Sequence, residues 1–376
     1  MFQANNTAAK VVDGFLQTRC NKANRALPCP PKLPASAAGR PTWPWTDEAP
    51  HRSDPADLDA AWPRISIVIP SLNHAQHLEA CLRSVLMQGY PKLELIVIDG
   101  GSRDGTVEVL RKYEPWLTSW ASEPDRGQTH AINKGFARST GEVLNWLCCD
   151  DLLLPGSLHA IGRAFQASPE TDLVYGGTEH KYPDDPSRDG IQRPAPRDIA
   201  MLPALNFIRQ PSCFFRRRLL KRDPPLDESL DLVMDYDLWA YFFSQGARWK
   251  IIDTIVSRIL WTGDNKCLNG GDRQLGEIER VYCRYVDERI PLVWWHRRLR
   301  NPLEKLWMRL KGRRIGFLRY ALLAPELLYV LLLGPFYGFR RTALYERRGL
   351  YQSLMARRPS HGPRAEPEIG NQKSDI

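Results

Sequence analysis

From Arg64 onward, short apolar runs alternate with amphipathic helical periods, and that alternation confines the chain to an α/β architecture before any motif is weighed. Ile65 to Ile69 (ISIVI) is an apolar run closed by Pro70, the pattern of a strand buried on both faces. Leu78, Cys81, Leu82, Val85 and Leu86 then fall on one face of a helix that ends near Gly89. A second strand is expected at Leu93–Ile98 and a second helix at Thr106–Tyr113. A helical segment at 128–138, a strand at Val143–Leu147, a helix from Ser157 with Leu158, Ile161 and Phe165 inward, and a strand at Leu173–Tyr175 continue the series. Such units build a mostly parallel sheet with right-handed crossovers. An apolar fraction of 43% supplies the core that this requires.

Outside the block the pattern changes. Residues 1–62 hold eight prolines and no sustained apolar period, and read as a flexible Pro-rich arm; the alternative is that Trp43 and Trp45 dock on the body. Residues 63–270 hold the strand–helix block. Residues 271–350 are expected to form a helical, basic and apolar extension, in which Leu275, Ile278, Tyr282 and Tyr285 keep a helical period. Arg297 to Arg348 carries 13 Lys/Arg against Glu304, Glu326 and Glu346, a net of +10 against +9 for the whole chain, so the remainder is close to neutral. Residues 320–339 are mostly apolar but broken by Pro325, Glu326 and Pro335. A localised basic segment beside such a stretch suits an anionic membrane surface, and no nucleic acid is expected as a partner. A membrane-spanning helix and ordinary core are the competing readings of 320–339. Residues 351–376 are expected to be disordered. The eight cysteines form no CxxC pair, and the N-terminus lacks the basic and apolar regions of a secretory signal, so a cytoplasmic location is expected.

Open parallel sheets bind ligands beyond the carboxyl ends of their strands. Here those ends carry Ser71 and Asn73, then Asp99, then Asp150 and Asp151, which suits a nucleotide with a cation. Gly100 to Thr106 (GGSRDGT) lacks the GxGxxG spacing of a dinucleotide fingerprint, and the chain has no GxxxxGK[ST]; Asp104 or Thr106 is expected to cap the following helix. Cys148-Cys149-Asp150-Asp151 offers carboxylates to a hard dication such as Mg²⁺ or Mn²⁺, or else caps the helix after Pro155; zinc held by the thiols is disfavoured without a nearby His or CxxC. Asp235 falls in the opening turn of a helix, as a cap or as a general base, with Asp237 about 200° around it.

The stretches Ile65–Asn73, Leu95–Thr106, Ser122–Phe136 (SEPDRGQTHAINKGF), Gly141–Asp151, Gln210–Arg217 and Leu226–Trp239 together resemble the family-two inverting glycosyltransferases of GT-A type fold. The resemblance spans roughly residues 64–266, and it implies transfer of a sugar from a nucleotide diphosphate to a glycan or lipid-linked acceptor. It gives Pro70, Ser71 and Asn73 to the nucleotide loop, Asp99 to the base, Asp150 to the metal as the second acid of DxD, and Asp235 to deprotonation of the acceptor. Gln210 and Trp239 would border the acceptor side. Three departures stand out. Cys148 occupies the first DxD position, so that one ribose or metal contact is lost or passes to Asn145 or Asp151; Met234 replaces the acid before the base; and Arg258-Ile259-Leu260 lacks the His of Arg-x-His. A catalytically inactive nucleotide-sugar binder of the same fold is the alternative that these departures raise. The implied setting is the inner face of the cytoplasmic membrane, in polysaccharide or cell-envelope synthesis.

Overall fold

The computed structural model describes residues 33–34, 42–45, 61–194, 199, 202, 206–262, 265–266, 270–285 and 298. The chain divides into a unit Met1–Val293 and a unit Trp294–Ile376. Apart from Arg298 the second unit lies outside the described residues, and so do the expected membrane-surface segment and tail. Among the described residues no helix is long and apolar enough to cross a membrane.

The first unit is α/β. Strand β1 (Ile65–Ser71) pairs in parallel with β2 (Leu93–Asp99) and with β4 (Val143–Trp146), and β2 pairs in parallel with β3 (Ser119–Ser122). Helices α1 (Ala75–Leu86), α2 (Thr106–Tyr113) and α3 (Gln128–Arg138) connect these strands, and α4 (Ser157–Ala167) precedes β6 (Leu173–Lys181). Every residue of β1 and β2 is buried, as their unbroken apolar runs require.

The expectation of a mostly parallel sheet needs correcting: the sheet is mixed. After β6 the chain forms β7 (Gly190–Gln192), then β8 (Cys213–Arg216), which inserts antiparallel between β4 and β6. Among the described residues between β6 and β8 there are short 3-10 turns at Pro186–Arg188 and Gln210–Ser212 but no α-helix. Helix α5 (Met234–Ser244) and strand β9 (Trp249–Leu260) follow, β9 parallel to β6, and the three-residue β5 (Asp151–Leu153) closes the far edge antiparallel to β9. In the order β3-β2-β1-β4-β8-β6-β9-β5, strands β4 and β5 stand four places apart, roughly 19 Å if the sheet were flat. The link from Trp146 to Asp151 reaches at most about 18 Å when fully extended. The sheet must therefore curl, and that curl folds Cys148–Asp151 back over the ends of β4 and β9.

Part of the stretch read as a flexible arm packs on the body. Trp43 is buried and its Nε1 donates to the Leu153 carbonyl (2.8 Å). The buried Arg83 of α1 donates to the carbonyls of Pro44 (3.0 Å) and Pro34 (2.9 Å), and its guanidinium lies over the Trp45 ring. Proline-rich chain cannot satisfy itself with helix or strand bonds, so its carbonyls are free to take up this cation. Trp43→Ala should lower the unfolding free energy by about 3 kcal/mol, and Trp43→Phe by about 1 kcal/mol, because the second keeps most of the packing and loses the hydrogen bond. Denaturant midpoints at unchanged slope would measure both, and equality with wild type would mean that the contact contributes nothing.

The expected helix from 272 is α6 (Gly271–Tyr285); Ile278, Val281 and Tyr282 are buried, and it packs on α5. It falls in the unit Met1–Val293.

Candidate active site

Two loops meet beyond the ends of β1 and β2. Asn73 adopts a left-handed backbone (φ 54°), which asparagine tolerates better than most side chains. That turn directs its N–H to Ser102 Oγ (2.7 Å), while its Oδ1 accepts from the Arg103 N–H (3.0 Å). Asp104 accepts from the N–H groups of Ala75 (3.0 Å) and Thr106 (3.1 Å), so one carboxylate satisfies the first turns of both α1 and α2. The expected capping role of Asp104 is thus extended to a second helix.

Asp99 is fully buried. Its carboxylate accepts from the N–H groups of Gly101 (3.2 Å) and Ser102 (2.9 Å) and from the hydroxyls of Ser102 (2.5 Å) and Ser122 (2.6 Å). These four contacts fix the start of the Gly100–Thr106 loop. Asp125 lies against that loop: a Cβ at Gly100 would stand 2.9 Å from its carboxylate oxygen, and Gly101 (φ 87°) needs a backbone that other residues avoid. The Ser71 hydroxyl is buried with no hydrogen-bond partner among the described residues, while the Pro70 carbonyl accepts from the Cys149 thiol (3.3 Å).

The link between β4 and β5 brings one ligand atom each of Cys148, Asp150 and Asp151 within 4.8 Å of one another. Asp151 is buried, and no described residue donates a hydrogen bond to its carboxylate. Burial, and then the charge of Asp150, push that carboxyl well above the usual range. Asp150 accepts from Asn265 Nδ2 (3.0 Å), which also donates to the Leu260 carbonyl (2.9 Å); the stretch that lacks the Arg-x-His histidine thus supplies Asp150 with an amide partner. Cys148 Sγ accepts from Gln128 Nε2 (3.2 Å). A buried carboxylate without a donor, next to a second carboxylate and a sulfur, is a donor set that fits a dication. Asn145 is not part of it: its amide donates to the Cys213 carbonyl (2.8 Å) and ties β4 to β8.

Asp235 lies in the first turn of α5, partly buried, and accepts from Asn206 Nδ2 (3.2 Å). Burial pushes its carboxyl up, against hydrogen bonds from the Tyr236 N–H and Asn206 and the charge of Arg209. One helical turn later Trp239 is fully buried and stacks on Trp146 at 5.9 Å and 13°, which anchors α5 to the end of β4. Thr129 Oγ1 and Asn133 Nδ2 of α3 donate to the carbonyls of Leu230 (2.8 Å) and Leu226 (2.9 Å), so the helix that carries Gln128 also holds the loop leading into α5. These ties couple the placement of Asp235 to that of the Cys148–Asp151 cluster.

The two residues expected on the acceptor side are used internally. Trp239 is core, and the buried Gln210 donates to the Trp146 carbonyl (2.6 Å). Arg216 and Arg217 donate to the carbonyls of Thr171 (2.9 Å) and Gly141 (2.8 Å), and Arg218 donates to Asp172 (2.8 Å), so this triplet stitches the sheet edge. Asp237 is fully buried between Arg222 (2.5 Å) and Arg284 (2.7 Å). Asn206, Arg209, Gln128 and Asn265 were missed as site residues. Asn206, Arg209 and Asn265 lie outside any helical or strand period, and Gln128 carries only the SEPDRGQ resemblance as a signal.

Residues 66–223 match the family model described as Glycosyl transferase family 2. An uncharacterized glycosyltransferase of Rickettsia typhi is 29% identical over 234 residues, 60% of this chain and 72% of the relative. A PGL/p-HBAD biosynthesis glycosyltransferase of Mycobacterium bovis is 38% identical over 120 residues, 31% of this chain and 47% of the relative. The chain therefore spans under half of that mycobacterial relative. A mannosyltransferase of Pyrobaculum calidifontis, solved with GDP-Man and Mn²⁺, aligns with a TM-score of 0.47 at 18% identity, covering 80% of this chain and 92% of that one.

Proposed function

We propose, from the match of residues 66–223 to the glycosyltransferase family 2 model, that this chain is a glycosyltransferase of that family that transfers a sugar from a nucleotide diphosphate to an acceptor hydroxyl with inversion. The observation that carries the proposal is the cation donor set at Cys148, Asp150 and Asp151 following β4, next to β1, whose end carries the laced loops at Ser71–Ala75 and Asp99–Thr106. Asp235 is linked to the same region through α3 and through the stacking of Trp239 on Trp146. A bound dication would neutralise the charge that builds on the departing diphosphate.

The chain's own residues carry the remaining steps. Asn73 and Ser102 hold the loop that faces the nucleotide, and Asp99 fixes that loop from below. Asn206 donates to Oδ2 of Asp235 and orients the carboxylate that would take the acceptor's proton. As the proton passes to Asp235, the acceptor oxygen forms its bond to the anomeric carbon from the face opposite the diphosphate, which leaves with the electron pair of the broken bond. Asp235 must be ionised to act. Its upward shift therefore moves the acid limb of the kcat/KM profile to higher pH than an unperturbed aspartate would give, and activity falls as pH drops through that limb.

The acceptor is a glycan or a lipid-linked precursor. The basic segment Arg297–Arg348 holds the enzyme at the inner face of the cytoplasmic membrane, each basic residue near an anionic surface contributing about 1 kcal/mol. Asp150→Asn tests the cation assignment, since the amide keeps the shape and loses the charge. Metal-stimulated release of nucleoside diphosphate should be abolished in Asp150→Asn, whereas wild-type turnover and metal dependence in both Asp150→Asn and Asp151→Asn would refute the ligand set.

A further inference from the structure

We propose that Cys148, Asp150 and Asp151 form a mixed thiolate–carboxylate site whose cation preference is moved away from Mg²⁺ toward borderline metals such as Co²⁺ and Zn²⁺. This rests on the reading that the cluster faces the donor's diphosphate. It adds that Cys148 is a ligand in its own right, where the sequence suggested a lost contact.

The geometry accommodates one ion. Metal–sulfur bonds are about 2.3 Å and metal–oxygen bonds about 2.0–2.2 Å, so a sulfur and an oxygen on opposite sides of an ion stand about 4.4 Å apart. The three ligand atoms here lie within 4.8 Å of one another, so side-chain shifts of a few tenths of an ångström bring all of them into one shell. Asp151 supplies an independent sign of a ligand. It is only 7% exposed, and its carboxylate meets no hydrogen-bond donor among the described residues. A buried carboxylate in that state is costly unless a cation satisfies it.

The surroundings orient the other two groups for the same task. Gln128 Nε2 donates to Cys148 Sγ (3.2 Å), the kind of outer hydrogen bond that orients a ligating sulfur. Asn265 donates to Oδ2 of Asp150 (3.0 Å), and among the described residues no hydrogen bond to its other oxygen is seen. The neighbouring thiols face elsewhere: Cys149 donates to the Pro70 carbonyl (3.3 Å) and Cys81 to the Cys148 carbonyl (3.5 Å). Mg²⁺ favours all-oxygen shells and sheds water reluctantly, whereas a thiolate raises affinity for Co²⁺ and Zn²⁺ far more than for Mg²⁺. The exchange of an acid for Cys148 therefore changes which ion the site holds, not whether it holds one.

The test is titration of the reduced full-length protein with Co²⁺, Cd²⁺ and Mg²⁺, read by calorimetry and by the near-ultraviolet thiolate-to-metal charge-transfer band. Wild type should show the band and bind Cd²⁺ well ahead of Mg²⁺. Cys148→Ser should lose the band and about 10- to 100-fold or more in Cd²⁺ affinity, taking the scale known for outer-shell partners as a lower bound. Cys149→Ser should keep the band. Cys148→Asp should reverse the order by gaining Mg²⁺ affinity, and this gain separates a changed ligand from a damaged fold. A band unchanged in Cys148→Ser, or an order of preference unchanged in Cys148→Asp, overturns the proposal. Nucleoside diphosphate release with Mg²⁺ by a wild type that shows no band would overturn this inference and leave the glycosyltransferase reading standing. The band without turnover of any nucleotide sugar would support the cation site and count against that reading.

Discussion

Asp235→Asn is expected to lower turnover by about 10²- to 10⁴-fold while donor affinity stays near wild type, because a general base contributes on that scale and makes no contact with the nucleotide. The physical case is local. Asp235 sits in the opening turn of α5, partly buried, with one oxygen held by Asn206 and burial raising its proton affinity. An amide of the same shape keeps the Asn206 contact and cannot take a proton. Calorimetric donor binding beside initial rates separates the two effects. A matched loss of affinity would show that Asp235 belongs to the donor pocket, and unchanged turnover would remove it from the mechanism. Asn206→Ala should act in the same direction and more weakly, since it frees the carboxylate without deleting it.

Asp237→Asn, two residues away, should fail differently: catalysis per folded molecule is kept while unfolding free energy falls by about 3 kcal/mol. Its carboxylate is fully buried and receives Arg222 from the loop before α5 and Arg284 from α6. Removing the charge leaves two guanidinium groups facing a neutral amide. Both arginines are partly exposed, at 24% and 41%, so water recovers part of the loss and the lower end of the range for broken buried pairs applies. Denaturant midpoints give the stability and active-site titration gives the fraction folded. A stable variant with turnover as low as that of Asp235→Asn would mean that Asp237, and not Asp235, serves as base.

Where each element carries its own period, the sequence was readable. Strands β1, β2 and β4 and helices α1 to α4 stand close to where their apolar spacing put them, because a buried parallel strand and an amphipathic helix each record their burial in local sequence. The antiparallel part was not readable in that way. Strand β5 has three residues, and β9 is mostly half-buried with mixed polarity, so neither leaves a clear period. Insertion of β8 between β4 and β6 is a tertiary choice that no local pattern records. Among the candidate site residues, Asp150, Asp151 and Asp235 stand out in the sequence because carboxylates at a strand end and in a helix's first turn are chemically conspicuous. Trp239 was assigned to the acceptor side through resemblance, although an aromatic inside a helix that stacks on Trp146 follows the ordinary rule for core. Gln128 and Asn265 escaped notice because each becomes meaningful only when the curl of the sheet brings Cys148 and Asp150 to it.

The measurement that bears most directly on the central claim is a screen of UDP-, GDP- and dTDP-sugars with the full-length protein and a divalent cation, read as released nucleoside diphosphate. At least one donor should give release that needs the cation and falls in Asp235→Asn. Release from none of them by folded protein, or release indifferent both to cation and to Asp235, would contradict the assignment of this site to sugar transfer.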